Sequence, residues 1–176
     1  GREETFGRNT ITRPARFKKV MVVGGGPAGL EAAKEASRRG HEVALYERES
    51  YLGGQVNLLA RLPNREEFSD VIRNQTMEME RYPVKILLDT EVTPDLVEKE
   101  KPDAVVVATG SQAGPCYLPG AGLPHVFTFY QALAGCEIPG DRVLVVDDTG
   151  FHQGAGTAEY LSRLGKKVTL LTPGLY

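Results

Sequence analysis

The chain has few of the residues that build disulfide frameworks, metal clusters or membrane spans. Its 176 residues include two cysteines, three histidines and no tryptophan. Cys116 and Cys136 lack metal-site spacing, so we expect reduced thiols in a cytoplasmic protein. No run of about eighteen apolar residues is present, so no membrane span is predicted. The polar opening "GREETFGRNT" lacks the apolar centre of a signal peptide, and the net charge of −2 excludes a basic nucleic-acid footprint.

Glycine, by contrast, is common, and the first glycine cluster is flanked by a predicted strand and a predicted helix. The apolar run "KKVMVVG" is typical of a strand buried on both faces. From Pro27 to Arg39, small and charged residues alternate at helical spacing, and Gly40 suits the C-terminal cap. "HEVALYE" predicts a second strand, so the whole stretch is a βαβ unit.

A similar stretch recurs near the end of the chain. "SRRGHEVALYE" from Ser37 aligns with "SRLGKKVTLLT" from Ser162, and "KVMVV" from Lys19 aligns with "RVLVV" from Arg142. The repeat predicts an α/β protein: a Rossmann-like, doubly wound parallel sheet of the FAD-binding type, followed by the start of a second Rossmann-like unit. The predicted divisions are a linker over 1–18, the first domain with its crossover over 19–139, and an incomplete second unit over 140–176.

Between these two units the sequence predicts further short elements. They are a helix over 66–80, strands at "VKILL" and "TEVT" that would form one hairpin, a helix over 94–100, and a strand at "DAVVVATG". The missing initiator methionine and the ending "TPGLY", directly after a predicted strand, indicate a piece of a longer protein.

The first glycine cluster has the spacing of a dinucleotide-binding turn. In Gly24-x-Gly26-x-x-Gly29 the first glycine permits the tight turn, the second lets backbone approach a pyrophosphate, and the third lets the helix pack closely. Glu47 ends the second strand and can accept hydrogen bonds from a ribose diol, while its charge would repel a 2′-phosphate. The turn therefore predicts an ADP moiety; the alternative is a glycine turn in a nucleotide-free domain.

Two further segments suit the same ligand. Gly54 ends a second glycine pair, where backbone can approach a ligand, and Gln55 can hydrogen-bond to it. Thr109 and Gly110 follow a strand, and ligands of open α/β sheets bind outside the carboxyl ends of the strands. The alternatives are a plain turn and a plain strand terminus.

The second turn departs from the first in its charge. Asp147 and Asp148 stand where the first turn has glycines, and a carboxylate there would repel a pyrophosphate. Thr172 stands at the position of Glu47, and no basic residue follows it. We expect this unit not to bind NAD(P)H in the usual way, although a solvated loop without functional meaning would have the same sequence. His152 near Asp148 is expected to face solvent, and we assign no catalytic residue and no metal site.

The motifs together resemble a known family. "VVGGGPAGLEAA", "LGGQ" and "ATGS" resemble the FAD-binding half of flavoproteins with two dinucleotide folds. "GREE" followed by "RPARFKKVMVVGGGPAGLEAA" resembles, more specifically, the C-terminal portion of the trimethylamine dehydrogenase / 2,4-dienoyl-CoA reductase (NADH:flavin oxidoreductase) family. The resemblance covers essentially the whole chain. It implies pyrophosphate contacts for Ala28, a place at the ribose and adenine for Arg48, backbone at the adenine from Val92, and a lining from Ala108, Thr109 and Gly110.

The resemblance also implies a function. The chain would be a fragment of a flavin-dependent oxidoreductase that binds the ADP moiety of FAD, or ADP itself as in the amine dehydrogenase branch. The electron-transfer chemistry would lie in an absent N-terminal barrel with FMN and a 4Fe-4S cluster, so the isolated chain should be inactive. The expected partners are that barrel, an electron-transfer flavoprotein and, for the full-length parent, further copies of itself; neither nucleic acid nor membrane is expected. A structural nucleotide-binding module and part of an NAD(P)H-dependent enoyl reductase stay open as alternatives.

Overall fold

The computed structural model of the chain describes residues 14–173. The "GREE" motif and most of the predicted linker lie outside this range. Within it, none of the helices has the length and apolarity to cross a bilayer. The described elements are, in chain order, β1 (Lys19–Val23), α1 (Pro27–Arg38), β2 (Glu42–Tyr46), α2 (Val56–Leu59), α3 (Phe68–Met79), β3 (Val84–Leu87), α4 (Pro94–Glu100), β4 (Ala104–Val107), α5 (Phe129–Ala134), β5 (Arg142–Val146), α6 (His152–Arg163) and β6 (Lys167–Leu171).

A four-stranded parallel sheet carries the first glycine turn. Its strand order is β3-β2-β1-β4, with β1 between β2 and β4. The apolar run of β1 is buried as predicted, with Val20, Met21 and Val22 at most 6% exposed. Val23 pairs with Tyr46 on one side and Val107 on the other, so three strands end at the same level of the sheet. The predicted α/β class with a parallel sheet is therefore confirmed.

The predicted hairpin at "TEVT" is wrong. β3 pairs in parallel with β2, and residues 90–93 form no strand. The amide of Thr90 instead donates to the carbonyl oxygen of Glu47 at 2.8 Å, which continues the parallel pairing beyond the end of β2. Thr93 then caps α4, accepting from the Leu96 amide at 3.3 Å. The β-branched residues of this segment thus extend a parallel pairing and begin a helix.

The chain divides by its internal contacts into two compact units. The first runs to Val56 and resumes from Asp70 to Gly110; the second contains Asn57–Ser69 and the described residues from Ser111 on. In the second unit β5 and β6 form a parallel pair joined through α6. These contacts group residues 111–139 with the second unit, whereas the sequence suggested a boundary at 139. The functional domain boundaries stay a prediction.

Candidate nucleotide-binding site

Two of the three motif glycines are required by contacts within the first unit. Gly24 has a φ of +107°, which side chains rarely adopt, and a Cβ there would overlap the carbonyl oxygen of Ala108. A Cβ on Gly29 would overlap the carbonyl oxygen of Gly24. The end of β1 and the start of α1 therefore meet backbone to backbone. These two glycines serve the fold whether or not a ligand is present.

Gly26 is different, because nothing in the protein requires its missing side chain. It is the N-cap of α1 with φ −74° and ψ 179°, an extended conformation that any residue adopts. A Cβ built there would meet no atom within 4 Å. Ala28, two residues further on, is exposed. An open cradle thus lies at the N-terminus of α1, where unpaired amides and the helix dipole favour an anion.

Glu47 is tied to the same turn. Its side chain is buried, with 7% of the residue exposed. One carboxylate oxygen accepts from the Gly25 amide at 2.6 Å and the other accepts from the Glu49 amide at 2.9 Å. Each oxygen keeps a second lone pair, so the carboxylate can still accept from the hydroxyls of a ribose. The sequence predicted a ligand role for Glu47 but did not reveal its hold on the Gly25 amide.

The second glycine pair packs against the first turn. The Gly53 amide donates to the carbonyl oxygen of Gly25 at 2.9 Å. Gly54 has a φ of +53°, and a Cβ there would lie 3.4 Å from the Cα of Gly26. This loop therefore forms a second wall beside the open cradle, and its role as a ligand-facing turn stays a prediction.

The end of β4 completes the surroundings of the turn. The Ala108 amide donates to the carbonyl oxygen of Val23 at 2.8 Å, so residue 108 directly continues the β1–β4 pairing. Thr109 and Gly110 follow and are exposed. Gly110 has a φ of +74°, and a Cβ there would lie 3.5 Å from the side-chain amide nitrogen of Gln55. The structure thus brings the segments after β1, β2 and β4 together, and their contact with a ligand stays a prediction.

Arg48 and Val92 lie at the margin of this arrangement. Arg48 is exposed, and its Nε lies 3.2 Å from a carboxylate oxygen of Glu49. Val92 is half-buried, two residues after Thr90, whose amide donates to the Glu47 carbonyl oxygen. Arg48 thus directly follows Glu47, and Val92 follows the segment that is hydrogen-bonded to Glu47. The contacts of both residues with an adenine stay a prediction.

Residues 18–174 match the pyridine nucleotide-disulphide oxidoreductase family. The chain belongs to this family.

Three relatives illustrate that similarity. Bilirubin reductase of Mediterraneibacter gnavus is 40% identical over 162 residues, which cover 92% of this chain and 25% of that protein. The probable N-methylproline demethylase of Rhizobium meliloti is 37% identical over 183 residues, covering 98% of this chain and 25% of that protein. The solved complex of 2-naphthoyl-CoA reductase with 2-naphthoyl-CoA superimposes with a TM-score of 0.87 at 34% identity, covering 95% of this chain and 25% of that one.

The chain spans about a quarter of the length of these relatives. It is a flavin-binding redox domain of the Rossmann type and corresponds to one part of larger flavin oxidoreductases. The domain is of the FAD-binding type, which confirms the predicted family resemblance and the predicted cofactor class.

The remaining candidate residues belong to the second unit. Among residues 14–173, no group of three or more His, Cys, Asp and Glu side chains is placed to hold a metal ion. His152 lines an open hollow of about 390 Å³ in the second unit, beside Leu62, Arg65 and Gly156. Asp148 is exposed. His152 and Asp148 both belong to the second unit, whereas the glycine turn belongs to the first.

Proposed function

We propose that this chain binds the ADP half of FAD, or ADP itself, over the β1–α1 turn. The open cradle at Gly26 carries the proposal. Gly24 and Gly29 are required by backbone contacts, whereas the missing side chain at Gly26 benefits only a ligand that approaches the backbone. Gly26 also offers no side-chain oxygen to cap α1, which leaves the helix start to an external anion.

The surrounding residues fit the rest of an ADP moiety. Glu47 would accept from the ribose diol, and its charge disfavours a nucleotide with a 2′-phosphate. FAD, when bound, supplies electron transfer; the residues of this chain hold and orient it. The residues that we assign to this binding are Gly24, Gly26, Ala28 and Gly29 at the diphosphate, Glu47 and Arg48 at the ribose and adenine, Val92 at the adenine, and Gly54, Gln55, Ala108, Thr109 and Gly110 along the ligand.

The parent that we propose is a flavin-dependent oxidoreductase whose substrate chemistry lies outside this chain. Its substrate would be an amine or a conjugated, enone-like compound; the names of the N-methylproline demethylase and the 2-naphthoyl-CoA reductase support these two classes. An N-terminal barrel with FMN and a 4Fe-4S cluster would carry the reaction, and an electron-transfer flavoprotein would accept the electrons. We propose a homo-oligomeric parent in the cytoplasm, where the exposed free thiols of Cys116 and Cys136 would stay reduced.

The nucleotide released from the purified chain tests this proposal. The chain is expressed, its visible spectrum is recorded, and the supernatant after denaturation is separated and identified by mass. FAD with a flavin spectrum is expected, and ADP without colour would assign the site to a structural nucleotide. Absence of both, together with no binding of added FAD or ADP, would contradict the proposal. Steady turnover of an amine or enone by the chain alone would contradict the assignment of catalysis to the rest of the parent.

A further inference from the structure

The second unit repeats the first in the lengths of its elements. β1, α1 and β2 have five, twelve and five residues, and so do β5, α6 and β6. The residue after the first strand is Gly24 in one unit and Asp147 in the other. The third residue of the helix is Gly29 in one and Gly154 in the other. The turn between strand and helix has three residues in the first unit and five in the second, so the two turns are compared from their ends.

Asp147 turns its side chain into its own turn. Only 6% of the residue is exposed. One carboxylate oxygen accepts from the Thr149 amide at 3.0 Å, the Thr149 hydroxyl at 2.8 Å and the Gly150 amide at 3.2 Å. The other lies 3.4 Å from the hydroxyl of Thr172. The donors of this turn thus already hold an anion that belongs to the protein.

Gly154 makes room for that carboxylate. In the first unit the third glycine of the motif faces the carbonyl oxygen of Gly24. In the second, a Cβ on Gly154 would lie 2.5 Å from the Cβ and the Cγ of Asp147. The gap between helix and strand that the first unit closes with backbone is filled by a side chain here.

The residue that precedes the helix also differs between the two units. Gly26 and Phe151 are the N-caps of α1 and α6, and both have extended backbone, with ψ values of 179° and 175°. Phe151 is 66% exposed, so most of this N-cap residue faces solvent beside the start of α6. Where the first unit presents bare backbone, the second presents a large apolar side chain.

The acidic residue follows the second strand in the first unit and the first strand in the second unit. In the first unit the acid, Glu47, follows the second strand and reaches the turn from the side, accepting from Gly25. In the second unit the acid is Asp147, in the turn, and the residue after the second strand is Thr172. A ribose diol would therefore meet a hydroxyl in place of a carboxylate.

We propose that Asp147 and Phe151 determine that the second unit takes no dinucleotide. The carboxylate of Asp147 uses the turn's donors and would repel a diphosphate, and the Phe151 side chain would obstruct a diphosphate at the start of α6, where the first unit has a glycine. NADH and NADPH would therefore not bind at this unit. The inference concerns the second turn and goes beyond the function proposed for the first.

Isothermal titration of NADH and NADPH into the chain tests the proposal. The first site is saturated with ADP beforehand, so that only the second turn is available. The unaltered chain should not bind either nucleotide at about millimolar concentration, whereas the variant Asp147→Gly/Phe151→Gly should bind at least about tenfold more tightly. Asp148→Gly is the matched control, because it removes the same charge from an adjacent, exposed position. This control should leave binding unchanged.

Binding of either nucleotide to the unaltered chain would overturn the proposal, as would a folded double variant that binds no more tightly than the unaltered chain. Should the double variant not fold, Asp147→Asn/Phe151→Gly replaces it, because asparagine keeps the shape and an acceptor for the turn amides. A separate ADP titration without saturation reports on the first site. Its failure would count against the function proposed above and leave the result at the second turn readable.

A double-mutant cycle gives an independent readout. Gly154→Ala should lower Tm in the unaltered chain, because its Cβ would clash with Asp147, and should lower it less when Asp147→Gly is present. Equal losses in both backgrounds would show that Asp147 does not fill this gap and would overturn its assigned position.

Discussion

The substitution Gly26→Ala separates a ligand-imposed glycine from a fold-imposed one. Of the three glycines in the β1–α1 motif, Gly26 is the one at which a Cβ would meet no protein atom within 4 Å. Its backbone is extended, so alanine adopts it without strain. The added methyl group therefore enters the open cradle and nothing else.

The expected effect on stability is small. Replacing glycine by alanine at a compatible position stabilises a protein by about 0.4–1 kcal/mol through the unfolded chain. Alanine is, however, a poorer N-cap than glycine, and capping differences are of the order of about 1 kcal/mol. The two effects offset one another. For a chain of this size, a net change within about 1 kcal/mol moves Tm by no more than about 4 °C.

The expected effect on binding is large. A methyl group in the cradle would push a diphosphate away from the amides at the start of α1. A hydrogen bond to a charged group contributes about 1.5–3 kcal/mol, and about 1.4 kcal/mol corresponds to a tenfold change in Kd. Loss of a single such bond predicts an affinity for ADP and FAD that is about tenfold to a hundredfold lower.

Isothermal titration with ADP and FAD, beside thermal unfolding of the nucleotide-free protein, measures both effects. Gly122→Ala is the matched control, since a Cβ at Gly122 also meets nothing within 4 Å and lies outside the motif. Both variants should unfold near the temperature of the unaltered chain, and only Gly26→Ala should lose affinity. Unchanged affinity in Gly26→Ala would refute the reasoning that the open space is there for the ligand.

Three further substitutions test the fold of the two units. Gly29→Ala should lower Tm clearly below the values of both the unaltered chain and Gly26→Ala, because its Cβ would overlap the carbonyl oxygen of Gly24. The Lys19 ammonium donates a hydrogen bond to Glu100 and holds the pKa of that carboxyl below its ordinary value of 4.5. The ion pair therefore stabilises the fold above pH 4.5, and this stabilisation is lost as the pH falls through the pKa of Glu100 in the folded chain. The unaltered chain should have a higher Tm than Glu100→Gln at neutral pH, and the difference should shrink in that acidic range. Thr128→Ala removes the hydrogen bond that the Thr128 side chain accepts from the Gln131 amide in the capping box of α5. This variant should lower the free energy of unfolding by about 1 kcal/mol in chemical denaturation.

Each of these has a result that counts against it. A Gly29→Ala variant as stable as the unaltered chain would mean that β1 and α1 do not meet backbone to backbone. A Tm difference for Glu100→Gln that stays constant with pH would deny the ion pair with Lys19, and Glu98→Gln on the same helix provides the exposed control. For the capping box, a Thr128→Ala variant with an unchanged free energy of unfolding would show that α5 does not begin at Phe129.

Much of the first unit could be predicted because its signals are local. The helix from Pro27 needed a proline at its start and a glycine after its end, and the observed α1 ends one residue before the predicted one. The helix over 94–100 was predicted with its bounds, because Thr93 and Pro94 give a cap and a first turn. The parallel sheet followed from the strand–helix–strand repeat.

What the sequence could not reveal are relations between distant residues. The "TEVT" segment has strand-forming residues, yet its pairing partner is the chain beyond β2, and parallel pairing has no local turn signal. Gly24, Gly26 and Gly29 look alike in sequence; the protein surroundings alone separate the two that the fold requires from the one left open. The inward turn of Asp147 likewise depends on the amides of Thr149 and Gly150, which no spacing rule predicts.

A titration of the ¹⁵N-labelled chain with ADP, followed by amide chemical shifts, tests the central claim most directly. The account predicts that the amides of the first turn, from Gly25 to Leu30, shift in a saturable manner, while those of Thr149 and Gly150 in the second turn stay in place. Shifts confined to the second turn, or shifts in neither turn at saturating ADP, would contradict it.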